Sequence, residues 1–179
     1  MNYWRKMLGT TRGRPPRVSQ VEVFWSFVGS FLGIAAIALL GQVFLDGTAY
    51  LMMLGSFGAS AVLAYGAIRS PLAQPRNLVG GHVVSALVGV AAYQVFQGQP
   101  WLAQALAVSG AIALMHLTQT LHPPGGATAL IAVIGGERVH ELGFVYAVMP
   151  AGLGALVLLA VALLVNNIPS TRRYPEIWF

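Results

Sequence analysis

The stretch "HPPGGAT", residues 122–128, sets a histidine, two prolines, two glycines and a threonine between strongly apolar runs. Proline lacks an N–H and fits the first turn of a helix, while the residue before it is pushed out of helical geometry. His122, before Pro123, is therefore expected to be extended, with a helix starting near Pro124 or Gly125. Gly125, Gly126 and Ala127 carry little or no side chain, so their backbone N–H groups would lie open, and Thr128 adds a hydroxyl on the first turn. A helix start of this kind offers unpaired donors and about half a positive charge, which suits a small anion.

A second stretch offers the same parts. In "GSFGAS", residues 55–60, Ser56 is a plausible N-cap, Phe57 follows it, Gly58 and Ala59 expose backbone, and Ser60 stands where Thr128 stands. "GASAVLA" at 58–64 matches "GATALIA" at 126–132, and two further pairs, "SALVGVA" with "GALVLLA" and "AIALL" with "AIALM", follow in corresponding segments. The order suggests a 3+3 duplication with inverted repeats, the plan of many transporters with midplane sites. Two short helix N-termini would then face one another near the membrane centre. Small residues on membrane helices also serve plain close packing. "GSFLG" at 29–33 and the Gly81, Ser85, Gly89 series read that way. "GSFGAS" fits either role. In "HPPGGAT", packing explains the glycines but neither the paired prolines nor the histidine.

The remaining chemistry is sparse. His140 lies in a charged loop and reads as solvated, whereas His82 and His116 read as hydrogen-bonded interior residues. His116 and His122 lack the i, i+4 spacing of a helical metal pair, and no acidic residue lies inside an apolar run. No metal or other cofactor is expected. The absence of cysteine excludes disulfides and thiolate zinc sites. No Gly-x-Ser-x-Gly or His-Glu-x-x-His motif marks a hydrolase, so no enzyme is expected. With only histidine able to titrate inside the spans, a passive channel or uniporter fits better than a driven pump.

The elements that hold these stretches belong to lipid. The chain is 56% hydrophobic and only 8% charged, where soluble domains carry about 25% charged residues. The net charge of +5 comes from basic flanks, not from a nucleic-acid face. Apolar segments fall at about 23–45, 49–68, 79–97, 101–118, 123–135 and 143–166. The first, third, fourth and sixth are long enough to cross a core of roughly 30 Å. The second and fifth are interrupted, and the fifth completes a crossing only if "LTQTLHPP" supplies the rest. Trp25, Tyr50, Tyr93 and Trp101 fall near span ends, as interfacial rings do. The expected fold is an all-α, 3+3 inverted-repeat bundle with four long spans and two broken helices. It divides into a basic N-terminal segment (1–21), a transmembrane domain (22–166) and a C-terminal tail (167–179). Six crossings with a cytoplasmic N-terminus put nine of the ten basic residues inside, leaving Arg138 outside. The expected setting is a bacterial inner membrane, with homo-oligomers plausible from the small-residue faces.

"GSFGASAVL" at 55–63, "SPLAQPRNLVGGH" at 70–82 and "HPPGGATAL" at 122–130 resemble the signature stretches of the HPP family of integral membrane proteins. The resemblance covers about residues 22–166. It implies transport of nitrite or a similar small monovalent anion, the activity associated with relatives in chloroplast envelopes and cyanobacterial membranes. It also implies four spans, the count usually given for the family. Some members carry an appended regulatory domain, which nothing in this sequence matches. The leading expectation is thus an anion channel or facilitated transporter. A channel for a neutral solute such as urea or ammonia, and a membrane scaffold without transport of its own, are the alternatives.

Overall fold

Proline sets the helix starts. Pro75, Pro100 and Pro123 each occupy a first-turn position behind a residue with non-helical backbone: Gln74 (φ −71°, ψ 158°), Gln99 (φ −136°, ψ 74°) and His122 (φ −138°, ψ 104°). The fifth-segment helix therefore begins one or two residues earlier than the sequence suggests. The computed structural model describes residues 17–44 and 55–179. Tyr50, Asp46, the basic residues before Arg17 and the start of the second apolar segment lie outside them.

The regular structure of the described residues is all helical. Helix α1 is Gln20–Phe44. Helix α2 covers 55–61 and widens into a π-helical turn, Val62–Gly66. A 3-10 turn, Pro71–Ala73, leads to α3, Pro75–Val95. Next come α4, Pro100–Leu117, the short α5, Pro123–Ile134, and α6, Glu137–Glu141. The last span is kinked at Met149 and Pro150 and ends in α7, Leu153–Val165.

Among the described residues, four helices are long and apolar enough to cross a membrane: 20–42, 75–95, 100–117 and 147–165. Helix α5, with 12 residues, rises only about 18 Å. The missing length comes from the turn before it. Gln119 adopts φ 56°, and the chain folds back into the bundle, where Thr120 and His122 are buried. Many large apolar side chains point outward, among them Phe27 (67% exposed), Leu39 (64%) and Leu164 (72%). Such a surface is costly in water and natural in lipid. This is an integral membrane protein.

Small residues let the backbones approach. A β-carbon at Gly81 would strike His122 and the Thr120 carbonyl, and one at Gly89 would strike Ala129. One at Gly125 would fall 2.5 Å from Ser85 Oγ and 2.9 Å from the Gly81 carbonyl. Ala103, Ala107 and Ala111 of α4 are buried as well. Helices α3, α4 and α5 thus form one tight triad, held by van der Waals contact as membrane interfaces are. Gly29 and Gly33 of α1 make room for the Tyr65 ring in the same way.

Hydrogen bonds gather four segments at one end. Arg172 donates from Nε to Glu22 (2.9 Å) and from Nη1 to the Tyr65 carbonyl (3.3 Å). Tyr174 donates to Ala73 O (2.7 Å), Arg76 to Thr118 O (2.8 Å) and Asn77 to Leu121 O (2.8 Å). Burial pushes the Tyr174 phenol above its usual pKa, which keeps it a donor. The start of α1, residues 65–77, residues 118–122 and the C-terminal tail therefore share a face, with Arg17, Arg69, Arg76, Arg172 and Arg173 on it. Arg138 sits on α6, past the opposite end of α5.

Candidate functional site

Serines at positions 56 and 60 are one helical turn apart, so on a helix they share a face. Residues 55–61 are helical, and both side chains are fully buried. Ser56 therefore stands inside α2 rather than capping it. The irregularity in this segment falls later, at the π-turn and at Ala67 (φ −133°, ψ 48°). The reason is local: Gly55, Ser56 and Gly58 are all tolerated in a helix whose neighbours pack it, so small residues alone do not force a break.

Across from this face stands the start of α5. His122 caps it in extended conformation without a side-chain cap bond, and Gly125 N–H closes the first turn on His122 O (2.8 Å). Ser56 Oγ lies 2.6 Å from Thr128 Oγ1 and donates to the Pro124 carbonyl at 2.9 Å. Ser60 Oγ lies 2.9 Å from His122 Nε2. The structure thus brings Ser56, Ser60, His122, Pro124 and Thr128 together.

His82, read from the sequence only as an interior residue, joins them. Its Nε2 is 2.7 Å from Ser60 Oγ and its Nδ1 2.7 Å from Thr128 Oγ1. Ser60 and Thr128, the two hydroxyls at matching places in the suspected repeat, bind opposite nitrogens of one imidazole. The His82 ring also packs against Phe57 and His122, with centroids 5.0 and 5.1 Å away. Two further groups were missed: the Leu72 carbonyl, 2.8 Å from His122 Nδ1, and Tyr146, which donates to the Thr128 carbonyl at 3.1 Å. "GGH" at 80–82, beside a glycine that contacts His122, was the available signal for His82.

The depth of the cluster follows from helix rise. From Pro75 to Gly81, which touches His122, is about 9 Å, and from Tyr65 back to Ser56 about 14 Å. A hydrocarbon core is ~30 Å thick, so these rises reach about a third to a half of the way across one. Ser56, Ser60, His82, His122 and Thr128 are each 0% exposed. Among the described residues, no buried side-chain nitrogen or oxygen lacks a partner. The centre is closed by its own side chains, not held open around bare backbone.

The other candidates lie apart. Gly58 borders an outer groove of about 480 Å³ between α1 and α2, lined also by Phe27, Phe31 and Val62. Ala59 and Pro123 are exposed. Gly126 and Ala127 are half-buried, and Gly126 faces Val108 of α4 at 3.8 Å. The glycines of the two stretches thus do not open on a shared space: Gly125 serves the close approach of α3, whereas a β-carbon at Gly55 or Gly58 would meet nothing within 4 Å.

The other histidines differ from their sequence readings. His116 is exposed on α4. His140 is half-buried, stacked on Tyr93 with centroids 3.6 Å apart and bonded to Val133 O at 3.0 Å. Among the described residues no three His, Cys, Asp or Glu side chains gather as metal ligands.

A family model described as "HPP, transmembrane region" matches residues 15–175. Two transmembrane proteins of Dictyostelium discoideum are similar along the whole chain. One is 46% identical over 182 residues and the other 44% over 183. The chain spans 58% and 64% of their respective lengths. No solved structure matches.

Proposed function

Because the chain belongs to the HPP family of membrane proteins, we propose that it is a channel or facilitated transporter for a small monovalent anion, with nitrite first among the substrates. The observation that carries this reading is the uncharged polar cluster of Ser56, Ser60, His82, His122 and Thr128 near mid-membrane. Burying polar side chains in lipid is expensive, and membrane proteins keep them where they line a pathway. The N-terminus of α5 adds a positive partial charge beside them. The cluster is the closed gate of the pathway. An anion passes when Ser56 parts from Thr128, taking the place of one hydroxyl in the network. The half-buried backbone at Gly126 and Ala127 follows Pro124 on the first turns of α5 beside this route, while Gly58 and Ala59 lie on the outer side of α2.

The 3+3 inverted-repeat plan belongs to the same proposal, supported by the matched placement of Ser60 and Thr128 around His82. So does a cytoplasmic N-terminus in an inner (plasma) membrane of bacterial type, supported by the basic residues grouped at one end. The Dictyostelium relatives speak to the membrane class and not to the compartment. Association into homo-oligomers through the exposed aromatic face of α1, with Phe24, Phe27 and Phe31, completes the picture.

The mutual saturation of the cluster favours one second reading, a scaffold that does not transport. Nitrite uptake into liposomes holding the purified protein separates the two. Uptake that falls at least tenfold in Thr128→Val, with the melting transition retained, supports the pathway. Uptake equal to that of protein-free liposomes supports the scaffold.

A further inference from the structure

We propose that the central cluster takes up a proton together with the anion and passes it along a single file of side chains, making the transported species a weak acid. The inference rests on the transport reading above and adds the co-substrate. It comes from counting hydrogens. A carbonyl oxygen only accepts, so His122 Nδ1, 2.8 Å from Leu72 O, carries its hydrogen. In the neutral ring Nε2 is then a lone pair, filled by the hydroxyl of Ser60 at 2.9 Å. That uses the one hydrogen of Ser60. His82 Nε2, 2.7 Å from the same oxygen, must therefore donate to it. His82 Nδ1 becomes the acceptor for Thr128, again at 2.7 Å. Ser56 gives its one hydrogen to the Pro124 carbonyl at 2.9 Å, so the file begins at Thr128. From there all the hydrogens point one way, toward His122 and Leu72.

The file also has room for one more proton. Ser60 Oγ is 3.2 Å from the Ser56 carbonyl, a contact the neutral arrangement leaves without a hydrogen. A hydrogen on His122 Nε2 would reverse the His122–Ser60 bond. With His82 in its Nε2–H tautomer, Ser60 would then accept from both imidazoles and donate to Ser56 O, satisfying every contact around its oxygen. The transfer balances. A proton joins Thr128 Oγ1, and the Thr128 hydrogen moves to His82 Nδ1. That of His82 Nε2 moves to Ser60, and that of Ser60 to His122 Nε2. One proton enters, and only His122 becomes charged. His122 loses its Nδ1 proton to water at the basic end, beside the half-buried Leu72, and hydroxyl rotation with a tautomer change at both His82 and His122 resets the file.

The surroundings require the anion. Around the two imidazoles stand Ser56, Phe57 and Ser60 of α2, Thr128 and the N-terminus of α5, the Leu72 carbonyl and, behind Thr128, Tyr146. None is a carboxylate. The charged groups Glu22, Arg172 and Arg76 are engaged at the basic end. A lone imidazolium in this setting, beside a positive helix end, is strongly disfavoured. A bound anion removes that cost, so the proton and anion enter as a pair and no net charge moves.

The test uses liposomes holding the full chain, an internal pH dye, a potassium diffusion potential and protein-free liposomes as control. The expected result is nitrite uptake with one proton per anion, unaffected by the imposed potential and driven uphill by a pH gradient alone. Ser60→Ala and His82→Gln, each checked for retained melting, should lower that uptake at least tenfold. Nitrite uptake that follows the potential without internal acidification would overturn the proton while leaving transport standing. Absence of any uptake by the unaltered chain would overturn the transport reading, and the proton with it.

Discussion

The molecule holds two buried polar networks, and they are built from different materials. At the basic end, the five N–H donors of Arg172 are all engaged. Nε bonds Glu22 Oε2, Nη1 bonds Tyr65 O and Asn166 Oδ1, and Nη2 bonds Glu22 O and Ser26 Oγ. This network ties the C-terminal tail to α1, α2 and α7. At the centre there are only hydroxyls, imidazoles and carbonyls. The difference follows the solvent. Near the interface a charge can be paired, and Glu22 keeps partial access to water, with 31% of its side chain exposed. In mid-membrane a fixed charge would cost far more. The charged network is therefore a latch, and the neutral one is the place where a transient charge can be received.

The comparison breaks most visibly at the latch. Arg172→Ala should cost ~3 kcal/mol, because Asn166, Glu22 and two carbonyls lose their donor together. Thermal melting in detergent checks this, and a loss below 1 kcal/mol would show that the latch is not structural. Thr128→Val comes next, costing about 1–2 kcal/mol since Ser56 and His82 each lose a partner. Its larger effect is on flux, lowered at least tenfold, so the ratio of transport loss to stability loss separates centre from latch. Glu22→Gln should be milder, about 0.5–1 kcal/mol, because the amide oxygen still accepts from Arg172 while the charge is gone. Ser85→Ala should be smallest, within roughly 0.5 kcal/mol, since Ser85 makes only a 3.5 Å contact with Met115 Sδ. A large loss there would move part of the functional centre to the α3–α4 seam.

The sequence made the lipid solvent, the long spans and the grouping of basic residues readable, because hydropathy, length and arginine placement are local quantities. It also made His122, Pro123 and the start of α5 readable within two residues, since proline acts on its neighbours alone. It misled at Ser56, which was expected to cap the helix and instead stands within it. It missed His82, because only the closeness of Gly81 to His122 brings that imidazole to Ser60 and Thr128, and such closeness is a tertiary fact. Backbone donors were expected to line the centre. Side chains line it instead, because α2 stays helical and turns both serines inward.

The central claim is that anions pass where Ser56 meets Thr128. The chain has no cysteine, so the double variant Ser56→Cys with Thr128→Cys places a single thiol pair at a hydroxyl contact of 2.6 Å. Nitrite flux through that variant in liposomes should stop when mass spectrometry shows the disulfide closed, and return on reduction. Flux that continues unchanged through fully oxidised protein would mean that this contact is no gate.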